Sequence, residues 1–189
     1  MVEQQQTPGL AVRQSVVVET SPERAFFVFT QGMTSWWPVD SHSIGDGPMA
    51  EAVIEPRTGG RWYERADDGT ECDWGRVLAW EPPRRVVLEW QLDADYGFDP
   101  EVHTELEVRF TPDGAHGTRV DLEHRGLDAY GARTAEMREG FGSDGGWAGL
   151  LRHGLPGGVP ASAGSWRHAR AGAVERARVA RRRLAGARR

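Results

Sequence analysis

The apolar and polar positions of this chain change their period along its length. Residues 13–19, RQSVVVE, are short and β-branched, which suits a first strand. SPERAFFVFT then takes up a helical rhythm. Ser21 is placed to cap, Pro22 fits the first helical position, and Glu23 lies near the positive end of the helix. Ala25, Phe26, Val28 and Phe29 give that helix one apolar face. It is expected to stop near Gly32, and Pro38 keeps Trp36 and Trp37 out of any longer helix. From residue 51 the period becomes two. AEAVIEP, RWYERA, ECDWGRVLAWE, RRVVLEWQLDA, TELEVRF and TRVDLEHRGL are separated by Gly59–Gly60, the DDGT turn at 67–70, Pro82–Pro83 and PDGAHG. Connections this short predict an antiparallel meander.

Alternation assigns the faces. Val86, Leu88, Trp90 and Leu92 share one side, opposite Arg85, Glu89 and Gln91. Leu106, Val108 and Phe110 oppose Glu105, Glu107 and Arg109, while Val120 and Leu122 oppose Arg119, Asp121 and Glu123. His124 keeps the parity of Val120 and Leu122, so it is predicted to point inward. Arg76 alternates with Trp74 and Leu78, and is either buried against a carboxylate or carried to the rim by strand twist. A sheet with one apolar face needs a cover. ARTAEMREGFGSDGGWAGLLRHGL, from about residue 131, supplies one. Its first part has helical composition, Gly145–Gly146 weaken it, and Trp147, Leu150 and Leu151 resume the helical spacing.

Composition then sets limits. A chain of 189 residues with 39% apolar content and eight Trp can build one well-buried domain. Residues 1–150 carry 13 Arg and 27 acids, a net −14, whereas residues 151–189 carry ten Arg and one acid, a net +9. That break, with the Gly/Pro-rich PGGVPASAGS, divides the chain into a flexible start (1–11), a folded domain (12–153) and a linker with an Arg-rich, potentially helical tail (154–189). All 23 basic residues are Arg, and Lys and Asn are absent, as expected of GC-rich coding. No run of 18 apolar residues predicts a membrane span, and MVEQQQTPGLAVRQ lacks a signal-peptide layout. A single Cys72 forms no internal disulfide, which points to a reducing cytoplasm.

Candidate chemistry is sparse. We find no phosphate loop, nucleophile elbow or catalytic triad, no cofactor motif, and no HxH or HExxH grouping among six scattered His. Metal and cofactor are therefore expected to be absent, and the catalytic residues, if any, are not identifiable. Asp67–Asp68 and Asp93/Asp95 read as turn chemistry, and Arg61, Glu64 and Asp73 as surface charges of a hairpin. The aromatic residues are more informative. Trp36–Trp37 either pack one ring on the sheet and one over a loop, or seal the mouth of a cavity. Trp62, Trp74 and Trp90 on strands and Trp147 on the closing helix either fill a core or line a pocket. An inward His124 is either a hydrogen-bonded core residue or the polar anchor or acid/base group of a ligand site. The tail either lies on the acidic body or attracts nucleic acid or anionic lipid, the former being preferred.

SPERAFFVFT, GMTSWWP, HSIG, EPRTGGRWYERADDGTECDWGRVLAWEPPRRVVLEWQL and GTRVDLEHRG together resemble bacterial proteins of the activator-of-heat-shock-protein-ATPase-homologue-like group. That group belongs to the SRPBCC, or START-like, helix-grip superfamily, and the resemblance covers roughly residues 12 to 151. It implies an α+β fold: a curved antiparallel sheet wrapped around a long C-terminal helix, two short helices after the first strand, and an apolar cavity between sheet and helix. Within that cavity Trp37 is the better candidate of the pair for an inward ring, and Trp37, Trp62, Trp74, Trp90, His124 and Trp147 form the candidate ligand-binding set. The Gly154–Pro160 stretch departs from the group's uninterrupted final helix. Fold membership leaves function open. A carrier of a small apolar, aromatic or lipid-like ligand comes first, and a cyclase- or hydrolase-type enzyme using the same cavity second. A co-chaperone acting on a protein partner through the outer sheet face comes third. Nothing in the sequence specifies an oligomeric state.

Overall fold

A computed structural model describes residues 10–155. The expected flexible start up to residue 9, and the linker and Arg-rich tail from residue 156, lie outside the described residues. Seven strands form one sheet: β1 (Val12–Val18), β2 (Met49–Ile54), β3 (Arg61–Ala66), β4 (Glu71–Glu81), β5 (Arg85–Trp90), β6 (Thr104–Asp113) and β7 (Gly117–Arg125). Their order is β1-β7-β6-β5-β4-β3-β2, and every neighbouring pair is antiparallel. The strands after β1 therefore run as the meander predicted from their short turns. β1 then closes against the last of them. The result is a curled half-barrel of the helix-grip class.

Between β1 and β2 the chain forms α1 (Pro22–Phe29) and a single 3₁₀ turn at Met33–Ser35. The Ser21 hydroxyl accepts from the Arg24 amide at 3.4 Å, so α1 starts at the cap that the sequence offers. Ala25, Phe26 and Phe29 are buried on β6 and β7, while Phe27 is left 44% exposed. After β7, a kinked 3₁₀ segment (Leu127–Arg133) leads into α2 (Thr134–Gly142) and α3 (Trp147–Gly154). The cover is thus two helices with a break at residues 143–146. Gly146 is required there, because a Cβ would stand 2.4 Å from the carbonyl oxygens of Gly140 and Phe141.

The predicted inner faces are found inside. Val86, Leu88, Leu106, Val108, Val120, Leu122 and His124 are all at most 2% exposed. On β4 simple alternation fails. The register slips at Trp74 and again at Leu78, so parity flips twice along one strand. Trp74 and Val77 are buried, whereas Arg76 and Leu78 face solvent. Arg76 is therefore not buried against a carboxylate; the irregular strand carries it out to solvent. The same bulge places Gly75 in register between Trp62 on β3 and Trp90 on β5. A Cβ at Gly75 would lie 1.8 Å from the Glu89 carbonyl oxygen, so only glycine fits this close approach.

Candidate functional site

The candidate ligand residues all come from elements that face α3. Trp62 and Trp74 stand on β3 and β4, Trp90 ends β5, and His124 lies near the end of β7. Trp147 is the first residue of α3, and Trp37 follows the 3₁₀ turn. All six are buried, from 0% exposure for Trp62 and His124 to 5% for Trp37 and Trp90. Their rings form one continuous wall. Trp37 meets Trp74 at 4.9 Å, Trp74 meets Trp62 at 5.5 Å, Trp62 meets Trp90 at 5.3 Å, and Trp90 meets Trp147 at 5.8 Å between centroids. Trp147 returns to Trp37 at 6.2 Å and closes the ring of contacts. Most of these contacts are edge-to-face or tilted, the arrangements aromatic quadrupoles favour.

The adjacent pair Trp36–Trp37 is buried on both sides. Trp37 turns toward α3 and donates its indole N–H to the His42 carbonyl at 3.0 Å. Trp36 turns toward Phe29, 5.2 Å away, and donates to the Val28 carbonyl at 2.9 Å. Gly154 at the end of α3 seats against the Trp36 ring, where a Cβ would approach it to 2.6 Å.

His124 closes a directional chain of hydrogen bonds. The Trp147 indole N–H donates to His124 Nδ1 at 3.1 Å. Indole nitrogen only donates, so Nδ1 must hold a lone pair and the ring proton sits on Nε2. Nε2–H donates to the Thr104 hydroxyl at 2.8 Å, and that hydroxyl donates to the Trp90 carbonyl at 3.1 Å. Burial alone pushes the imidazole pKa down to about 3. Both nitrogens are engaged and the ring is neutral, so in this packing His124 ties α3 to β5, β6 and β7. Phe141 of α2 covers it at 4.4 Å.

Glu64 corrects a sequence expectation. It is 3% exposed rather than a surface charge. Its carboxylate accepts from Trp74 Nε1 (3.0 Å), the Ser43 hydroxyl (2.8 Å) and the backbone amides of Ile44 (3.0 Å) and Gly45 (2.6 Å). It thereby fixes the HSIG loop against the ring wall. Asp73 does lie toward solvent, paired with Arg61 at 2.7 Å. Parity with Trp62 places Glu64 on the inward face, but a lone carboxylate gives no signal of the donors that will surround it there. Thr104 was missed for the same reason. Asp68 and Asp93 do serve turns, accepting from the amides of Thr70 and of Asp95 and Gly97. Among the described residues no group of three or more His, Cys, Asp or Glu is placed to hold a metal. Among those residues, too, no helix is long and apolar enough to cross a membrane.

A family model for activator of Hsp90 ATPase homolog 1-like proteins matches residues 19–147. The chain belongs to that family. Two solved relatives are considerably similar in sequence. The anthrahydroquino-gamma-pyrone synthase Txn09 is 41% identical over 68% of this chain and 84% of its own, with a TM-score of 0.50. The self-sacrificing resistance protein CalC from Micromonospora echinospora is 34% identical over 75% of this chain and 89% of its own, with a TM-score of 0.57. Protein NE0264 from Nitrosomonas europaea, 15% identical over 76% of this chain and 90% of its own with a TM-score of 0.53, shares the fold alone. A search of curated proteins returns no match. The family match spans α1, β2 to β7 and α2, begins just after β1, and ends on Trp147, the first residue of α3.

Proposed function

We propose that this protein binds a small, flat, largely apolar aromatic molecule between the sheet and the helices α2 and α3. The observation that carries this reading is the closed circuit of Trp37, Trp74, Trp62, Trp90 and Trp147. It concentrates stackable surface on one side of the interior, where the cover is the interrupted pair α2 and α3. Trp rings bury large areas at low conformational cost, so a planar ligand inserted among them gains by desolvation and stacking. The two relatives above 30% identity support the same reading. One is named as the synthase of a fused aromatic oxygen heterocycle, the other as a resistance protein. A ligand reaches the wall when α3 parts from the sheet. The break at residues 143–146 lets α3 move without unwinding α2.

The test is native mass spectrometry of freshly purified protein beside its denatured mass, followed by titration of tryptophan emission with planar aromatics. A discrete native mass excess, or saturable quenching, is the expected result. A bare native mass with no quenching by any planar aromatic overturns the reading. The 41% identity to a synthase favours a cyclase-type enzyme as the second reading. Conversion of a bound aromatic precursor to a product of different mass assigns that activity. Stimulation of a chaperone ATPase with no small ligand bound would instead favour a protein partner at the outer sheet face.

A further inference from the structure

Trp62 and Trp90 differ from the other rings of the wall in their nitrogens. Trp36, Trp37, Trp74 and Trp147 each donate to an acceptor: the Val28 carbonyl, the His42 carbonyl, the Glu64 carboxylate and His124 Nδ1. The indole N–H groups of Trp62 and Trp90 are buried and meet no acceptor with hydrogen-bond geometry. Tyr130 Oη, which donates to the Leu92 carbonyl at 3.0 Å, lies near the Trp90 indole without meeting hydrogen-bond geometry, so among the described residues neither N–H has a formed hydrogen bond. An indole N–H needs one acceptor, and leaving it dry in an apolar interior is costly. Two such groups stand on neighbouring rings, 5.3 Å between centroids, on the residues that flank Gly75 in register. A wall meant only to be filled has no use for two unmet donors. A wall meant to receive a polar atom does.

Resting on the reading that the wall binds a planar aromatic, we propose that the ligand is a ketone- or quinone-type aromatic whose carbonyl oxygen accepts from Trp62 Nε1, with Trp90 Nε1 as the second donor. A carbonyl oxygen has two lone pairs and no proton to place, so it suits two donors, whereas a hydroxyl or amine brings a further hydrogen to satisfy. The remaining ligand surface stays apolar, because the other ring nitrogens of the wall are already committed.

Fluorenone and fluorene test this, since they share one tricyclic shape and differ at the carbonyl. Indole ¹⁵N–¹H spectra of the full chain are recorded during titration with each, and Trp62→Phe and Trp90→Phe spectra assign the two resonances. Fluorenone is expected to bind about tenfold more tightly than fluorene, the effect of one hydrogen bond in a dry site. The Trp62 N–H resonance is expected to move downfield with fluorenone alone, and Trp62→Phe to bring fluorenone down to the affinity of fluorene. Equal binding of both probes without movement of either N–H overturns the carbonyl assignment and leaves the aromatic site standing. Failure of both probes to perturb any ring of the wall overturns the site and the assignment together. If the Trp62→Phe variant does not fold, the wild-type probe comparison still decides, with the Trp62 resonance identified by its contact to Trp90.

Discussion

The interior has two halves built on different rules. Under α1, the rings of Phe26, Phe29 and Phe110 pack at 5.3 and 5.8 Å over Val108 and Val120, with no side-chain polar atom in the set. In the other half the same sheet carries Trp62 beside Trp74, Trp90, His124, Thr104 and Glu64, and hydrogen bonds of fixed direction link Glu64 to Trp74, and Thr104 through His124 to Trp147 of α3. The first half needs only volume and apolarity, so many sequences would fill it. The second needs each donor matched to an acceptor, and two of its donors are not matched among the described residues. One half is a core. The other is a core that also has the chemistry of a site.

Substitutions separate the halves by size of effect. Phe110→Ala should cost about 4 kcal/mol of stability by opening a cavity in the Phe cluster. Its ligand affinity, measured at a temperature where it remains folded, should stay that of the wild type. A fall in affinity matching the fall in stability would mean that the two halves are one unit. Glu64→Gln should cost about 2 kcal/mol, because the amide NH₂ must face one of the donors now held by the carboxylate. It should also loosen the HSIG loop, seen as faster amide exchange at Ile44 and Gly45.

The buried imidazole gives a pH signature. The His124 pKa falls from an ordinary 6.5 to about 3 on folding, so the unfolded chain binds the extra proton between these values. Stability is complete above pH 6.5 and declines as pH falls toward 3, with a slope approaching about 1.4 kcal/mol per unit. Denaturant unfolding between pH 6.5 and 5, where carboxylates contribute little, reads this term. His124→Gln should flatten the slope there. An unchanged slope would mean that His124 is solvated or charged in the native state. Protonation would also turn Nδ1 into a donor facing the Trp147 N–H, so α3 should loosen first.

The outer face supplies the smallest effect and the control. Glu107 is 8% exposed in its side chain and meets Arg85, Arg109 and Arg125. Burial opposes its ionisation, but hydrogen bonds from Arg125 and Arg85 outweigh that and hold its pKa below the usual carboxylate range. Arg109 is the most exposed of the three, and Arg109→Ala should change stability by about 0.5 kcal/mol or less. It should leave ligand binding untouched. A marked loss of binding would move the site from the inside of the sheet to the outside.

Much of this was legible in the chain. Ser21–Pro22 fixed the start of α1, the DDGT turn and its companions fixed the meander, and parity placed His124 and Trp90 indoors. These are local properties, set by backbone preference and by the two-residue repeat of a strand, and neighbours in sequence suffice to express them. Tertiary structure decided the rest. The two register slips in β4 turned Arg76 outward and set Gly75 between two tryptophans. Glu64 became a buried clasp when two backbone amides, a hydroxyl and an indole from distant segments closed on it. His124 acquired its tautomer from a helix 23 residues further along the chain. A hydrogen bond belongs to a pair of groups and to their distance in space, and sequence spacing does not carry that distance. The sequence by itself therefore determined which faces are apolar and which residues are available. Only the folded arrangement decided which polar groups are satisfied, and which two indole nitrogens meet no acceptor among the described residues.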